Sequence, residues 1–235
     1  MNLLLLELED LVAPDRARIS GRRFEHAVGV LKAQGGSRLR AGVIGGNQGV
    51  AEVLARTDTD LELRLHLDAP PPPKLPLDLL IALPRPKVLN RVLASAASLG
   101  VARIVLLNAW KVEKAYWKSP RMAPEHLRDQ LILGLEQARD TVLPELRLAR
   151  LFRPFVEDEL PAFGAGRRCL LADPAGAGPC PRDLSIPTVL ALGPEGGWVE
   201  AERHSFAAAG FEAVTLGPRI LRTETALAAL VGRLA

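Results

Sequence analysis

Hydrophobic and polar positions along the chain fall into two regimes. In the first stretch the apolar residues come in short runs. Leu3–Glu7, Arg38–Ile44, Gly49–Ala55 and Leu61–Leu67 have strand character, with Gly45-Gly46-Asn47 as a turn. Between them, Arg22 to Lys32 sets Phe24, Val28 and Leu31 on one helical face. Five or so short strands and one helix in under seventy residues predict a small β-barrel over residues 1–68. From residue 77 the pattern alternates. Apolar strands are predicted over Leu77–Leu83, Ala102–Leu107, Arg168–Leu171, Thr188–Leu192 and Ala213–Leu216. Helices are predicted over Lys87–Leu99, Pro124–Ala138, Val199–Ala209 and Leu221–Leu234. Apolar strands separated by helices indicate an α/β domain with a parallel sheet covered on both faces, here residues 77–235.

The break between the regimes is Ala69-Pro-Pro-Pro-Pro-Lys-Leu-Pro76. Proline fixes φ and offers no backbone donor, so residues 69–76 read as an extended linker. A chain of 235 residues, 48% hydrophobic and 24% charged, can bury two small cores and is no disordered tail. No segment approaches the ~20 apolar residues of a membrane span. The Leu3–Leu6 run is short and meets Glu7, Glu9 and Asp10, so no signal peptide is expected. Cys169 and Cys180 are the only thiols, and His26, His66, His126 and His204 are scattered, so no metal site is expected. The chain reads as cytoplasmic.

Charge adds a partner class. The net charge is +3 and the isoelectric point about 9.1. Seven basic residues lie between Pro14 and Arg40, among them Arg22, Arg23, Lys32 and Arg38, against two acids. Nine lie between Ile81 and Arg128, Arg85 among them, again against two. Two basic stretches, one per domain, suggest a shared anionic ligand, and RNA fits. With aromatic residues at 4%, such an RNA is expected to be held by Arg and Lys more than by stacked rings. Trp110, Tyr116 and Trp117 are the candidate stackers, or else core or subunit-interface residues.

Two loops carry the candidate chemistry. Gly193-Pro-Glu-Gly-Gly197 follows the apolar strand Thr188–Leu192 and precedes a helix. Ligands of open α/β sheets bind beyond the carboxyl ends of strands, and clustered glycines let a ligand approach the backbone. The spacing is neither the dinucleotide fingerprint nor a Walker loop. Leu216-Gly-Pro-Arg-Ile-Leu-Arg-Thr-Glu-Thr-Ala226 likewise leaves a strand and enters the last helix, bringing Arg219, Arg222 and Glu224 to a helix start.

Together these two segments resemble the signature pair of the RsmE family, 16S ribosomal RNA uridine-N3 methyltransferases of the SPOUT (α/β-knot) superfamily. Weaker likenesses extend over nearly the whole chain: Phe24-Glu-His-Ala-Val-Gly-Val-Leu-Lys32, Gly36 with Arg38–Ile44, Ala82-Leu-Pro-Arg85, Leu99-Gly-Val101 and Glu136-Gln137…Pro144. The resemblance implies a PUA-like RNA-binding β-barrel joined to a trefoil-knot methyltransferase domain, acting as a homodimer on 16S rRNA in the small (30S) ribosomal subunit. It implies S-adenosylmethionine as methyl donor and no metal. Carried onto this sequence, the donor site comprises Leu171, Gly193, Pro194, Glu195, Gly196, Gly197, Leu216, Gly217, Ile220, Leu221, Arg222, Thr225 and Ala226, with Leu171–Pro174 as a third loop. RNA contacts fall on Arg22, Arg23, Lys32, Arg38, Arg85 and Arg219. Uracil N3 must lose a proton before it attacks, so Arg222 is the expected charge stabiliser and Glu224 the group that orients it or takes the proton.

The chain departs from the family pattern in places. Ser95 and Ser98 stand where Lys and Glu are common, Asp140 stands where Arg is expected, and Lys111–Pro120 replaces a Ser-Glu-Arg-Ser segment. Ribose 2′-O methylation of RNA and a non-catalytic RNA-binding assembly role are the alternative functions.

Overall fold

The structure, a computed structural model, describes residues 2–176 and 178–235. The chain divides into two compact units, Met1–Pro73 with Ile132–Leu143, and Lys74–Leu131 with Pro144–Ala235.

The first unit wraps six strands around one core. These are β1 (Leu4–Leu6), β2 (Leu11–Ala13), β3 (Arg16–Ser20), β4 (Arg38–Val43), β5 (Gln48–Arg56) and β6 (Asp60–Ala69), in the order β1-β4-β5-β6-β3-β2. All pair antiparallel except β1 with β4. Period-two patterning decides the faces: Ala17 and Ile19 of β3 point inward while Arg16, Arg18 and Ser20 are exposed. In the same way β4 presents Arg38 and Arg40 outward and buries Leu39 and Ala41. Ala27 of helix α1 (Gly21–Gly29) closes the core, with Phe24 and Val28 packed against it. The register shifts between Gln48 and Val50, where β5 and β6 come close together. A Cβ on Gly49 would sit 2.1 Å from the His66 carbonyl oxygen, so only glycine fits there.

The sequence reading put residues 132–143 in the 77–235 domain; in the structure they group with the first unit, whose polar groups also bond to them. Asn2 and Leu3 donate backbone N–H to the Glu136 carbonyl, each at 3.0 Å. The Arg22 guanidinium grips the buried Glu136 carboxylate through two nitrogens, each at 3.0 Å. Gly45 N–H donates to the Thr141 carbonyl at 2.8 Å, and the Thr141 hydroxyl to the Gly46 carbonyl at 2.5 Å.

The second unit is a seven-stranded parallel sheet, as the alternating pattern predicts. Its strands are β7 (Leu77–Ala82), β8 (Arg103–Leu107), β9 (Glu145–Ala149), β10 (Arg168–Ala172), β11 (Gly178–Pro179), β12 (Thr188–Leu192) and β13 (Glu212–Thr215). The order is β11-β13-β10-β12-β7-β8-β9. Every residue of β7 and β12 is buried, Asp78 of β7 included, which is why both read as mainly apolar runs. β9 lies at an edge, alternates exposed and half-buried residues, and escaped that reading. Its sequel also escaped it: α4 (Phe152–Pro154), a π-helical turn (Phe155–Glu159) and α5 (Leu160–Gly164). Helix α2 (Pro86–Ser98) begins on a proline whose missing N–H costs nothing at that position. α3 spans Pro124–Ala138 and α6 Glu200–Ala208; the last helix, α7 (Thr223–Leu234), packs on α2.

Candidate functional site

The site follows from strand register. β12, β10 and β13 are neighbours, with Leu192 opposite Ala172 and Ala172 opposite Val214. Their carboxyl ends therefore stop side by side, and the three following loops rise from one edge of the sheet. These are the Asp173 loop, the Gly193 loop and the Leu216 loop. They enclose a cavity of about 320 Å³, at the small end of the ~300–1,000 Å³ usual for small-ligand sites.

Of the residues expected at a donor site, Gly193, Pro194, Glu195, Gly196, Gly197, Leu216, Gly217, Ile220, Leu221 and Ala226 line this cavity. Leu171 lies buried in β10, and the lining from that strand's end is Ala172 to Ala175. Thr225 is exposed on α7 and lines neither cavity; Thr223, a buried residue at the helix start, lines both this one and the next. Arg222 belongs to the second cavity.

Four lining or supporting side chains were not singled out from sequence. Trp198 is 2% exposed and its indole N–H has no hydrogen-bond partner among the described residues. The indole packs so closely on Gly193 that a Cβ there would meet Nε1 at 3.1 Å. Buried Asp173 accepts from Arg203 Nε at 2.5 Å and from Ala175 N–H at 2.9 Å, fixing an arginine at the cavity wall. Lys111 reaches across the glycine loop and donates to the Gly196 carbonyl at 2.6 Å; its stem fills the space a Cβ on Gly196 would need. Trp198 carried a local signal, a large aromatic directly after a glycine pair. The other three act across 30 or more positions of sequence, and spacing cannot show that.

A second cavity of about 440 Å³ adjoins the first through Glu195, Ile220, Leu221 and Thr223. Arg85, Arg91, Arg222 and Glu224 complete its charged lining. Arg85 donates its backbone N–H to Glu195 Oε1 at 3.1 Å, and Arg91 Nη2 lies 3.6 Å from Glu224 Oε1. The neighbouring Tyr116 phenol is pushed above its ordinary pKa by burial and by its hydrogen bond to Glu113, while Arg85 pulls the other way. Ser95 follows Arg91 by one helical turn of α2.

The remaining expected residues divide. Trp110 is 81% exposed, whereas Trp117 donates from its indole to Asn108 at 3.0 Å and lies 5.4 Å from the Arg150 guanidinium. Arg219 is exposed at the rim of the first cavity. In the first unit Arg38 and Lys32 are exposed. Arg23 is committed inward, pairing with Asp10 and donating to the Leu5 carbonyl at 3.2 Å, and Arg22 is engaged by Glu136. Among the described residues no cluster of His, Cys, Asp or Glu is suited to a metal ion, and no helix is long and apolar enough to cross a membrane.

Residues 71–235 match a family model described as an RNA methyltransferase domain. The chain belongs to that RNA methyltransferase family. Its relatives include ribosomal RNA small subunit methyltransferase E of Treponema pallidum, 35% identical over 97% of this chain and 88% of that protein. The corresponding protein 1 of Borreliella burgdorferi is 25% identical over 96% of this chain and 94% of its own length. The fold is shared with a crystal structure of ribosomal RNA small subunit methyltransferase E from Neisseria gonorrhoeae bound to S-adenosyl methionine, with TM-score 0.77 and 24% identity over 97% of this chain and 94% of that one. The mixed α/β class expected from the sequence is therefore the class of this methyltransferase.

Proposed function

We infer that this RNA methyltransferase transfers the methyl group of S-adenosylmethionine to N3 of a uridine in 16S rRNA, acting on the small ribosomal subunit in the cytoplasm. The observation that carries the reading is the pairing of two cavities: a glycine-walled one at three strand ends, opening beside an arginine-lined one. The first suits the donor chemically. Leu192, Val214 and Leu230 offer an apolar wall for a purine. Asp173 and Glu195 are carboxylates for the cationic sulfonium and amine, and Arg203 is a fixed cation for the carboxylate end. When bound, the donor supplies a methyl whose bonding electron pair stays on sulfur as it leaves, so the acceptor nitrogen needs only to lose its proton.

The chain's own residues meet that need. Arg222 places positive charge where the uracil oxygens become negative, and Glu224 accepts the N3 proton, freeing the nitrogen lone pair to form the new N–C bond. Holding the two reactants in line is worth up to ~7–11 kcal/mol by itself. The first unit serves as an RNA-binding barrel. A second copy of the chain covers Leu216, Ile220 and Leu221, of which Ile220 is 83% exposed beside the cavities.

The test is methyl transfer from labelled donor to small subunits, with the modified nucleoside identified by mass spectrometry. A 3-methyluridine product and a dead Arg222→Ala enzyme that binds donor within a few-fold support the reading. A ribose-methylated product, full activity in that variant, or donor binding without transfer rejects it.

A further inference from the structure

The two carboxylates of the arginine-lined cavity are held in different ways. Glu195 accepts a backbone N–H, from Arg85, which stays in place whatever binds. Glu224 is 18% exposed and its ion pair among the described residues is with Arg91, whose side chain is 62% exposed. At 3.6 Å that contact lies outside the ~2.7–3.2 Å of a formed hydrogen bond. An exposed pair of this kind contributes only ~0–1 kcal/mol, so little keeps the guanidinium there. The cavity carries three guanidinium groups, Arg85, Arg91 and Arg222, against two carboxylates, and the surplus positive charge invites a single anion. A phosphodiester can take a guanidinium by two parallel charge-assisted bonds, a better partner than a carboxylate at this distance.

We propose that Arg91 is a positioning residue exchanged between Glu224 and the RNA: a phosphate flanking the target uridine draws Arg91 away, and only then does Glu224 become free to take the N3 proton. The proposal rests on the methyl-transfer reading above. Proton acceptance is thereby tied to a seated substrate. The other charged groups around Glu224 are Arg222 at its own helix start, Arg85 before α2 and Glu195 from the glycine loop, and they remain in place through the exchange.

The experiment compares wild type, Arg91→Gln and Arg91→Lys on small subunits lacking the modification, after calorimetry confirms that each variant binds donor as wild type does. For Arg91→Gln the proposal expects a raised KM for the subunit with kcat within about threefold. The slope of log Kd against log salt should fall by about 0.7–0.9, the share of one lost phosphate contact. Arg91→Lys should restore the wild-type salt slope and only part of the affinity. An unchanged salt slope or a collapse of kcat alone overturns the exchange. Should Arg91→Gln lose donor binding through misfolding, the Lys variant carries the test by its KM and salt slope. Failure of wild type to methylate a base would instead defeat the parent reading.

Discussion

At the scale of single residues, the site depends on atoms that are missing as much as on those present. Gly193 packs against the buried Trp198 ring, so an added methyl must push the ring aside. Gly193→Ala is expected to cost about 1–3 kcal/mol by overpacking and to weaken donor binding at least tenfold. Thermal unfolding and titration calorimetry check the two effects separately. The thiols behave oppositely, as enclosed spectators. Burial pushes Cys169 and Cys180 above the ordinary thiol range, and the opposing pull of Arg167 and Arg233 is the smaller influence. Both should resist Ellman's reagent at pH 8 in the native protein and react fully in denaturant. Because the unfolded chain ionises first, their contribution to stability is complete below the ordinary thiol pKa and declines as pH rises above it.

At the scale of elements, the sequence is most legible where one element's own residues decide the outcome. β7 and β12 are buried on both faces and announce themselves as apolar runs, and the loops after β12 and β13 announce themselves through glycine and proline. Helix α3 was legible over Pro124–Ala138 from its leucine spacing. What could not be read is anything decided between elements. β2 and β3 pass unnoticed because five outward and inward residues in alternation, with arginines on the outer side, look like a polar loop. The arginine pair on buried Asp78, with Arg103 and Arg167 each at 2.6 Å, joins positions 25 and 89 residues apart. The Lys111 contact is the same kind of feature and has a functional consequence. Removing its ammonium from the Gly196 carbonyl by Lys111→Ala deletes a charged hydrogen bond of about 1.5–3 kcal/mol and frees the loop. Donor Kd should rise about tenfold or more, with kcat at saturating donor largely retained; an unchanged Kd shows that the loop keeps its shape unaided.

At the scale of the whole molecule, position decides which charges can serve RNA. Arg22 and Arg23 belong to the basic N-terminal stretch in sequence, yet Glu136, Asp10 and the Leu5 carbonyl occupy them. Arg38 and Arg40 stand on the outer face of β4 and are exposed. Reversing the latter two to Glu should weaken binding to small subunits and flatten its salt dependence while the melting temperature holds. Reversing Arg23 should instead lower the melting temperature, since its carboxylate partner is 11% exposed and would face a like charge. Filter binding across a salt series, beside thermal melts, separates the two.

The linker prolines look like the natural place to divide the polypeptide, but the chain does not come apart there. Residues 132–143 return to the first unit after the second has begun, so a fragment ending at Pro73 lacks the carboxylate and carbonyls that receive Arg22, Asn2, Leu3 and Gly45. A fragment starting at Leu77 carries that same stretch with nothing to receive. Neither half is a finished object.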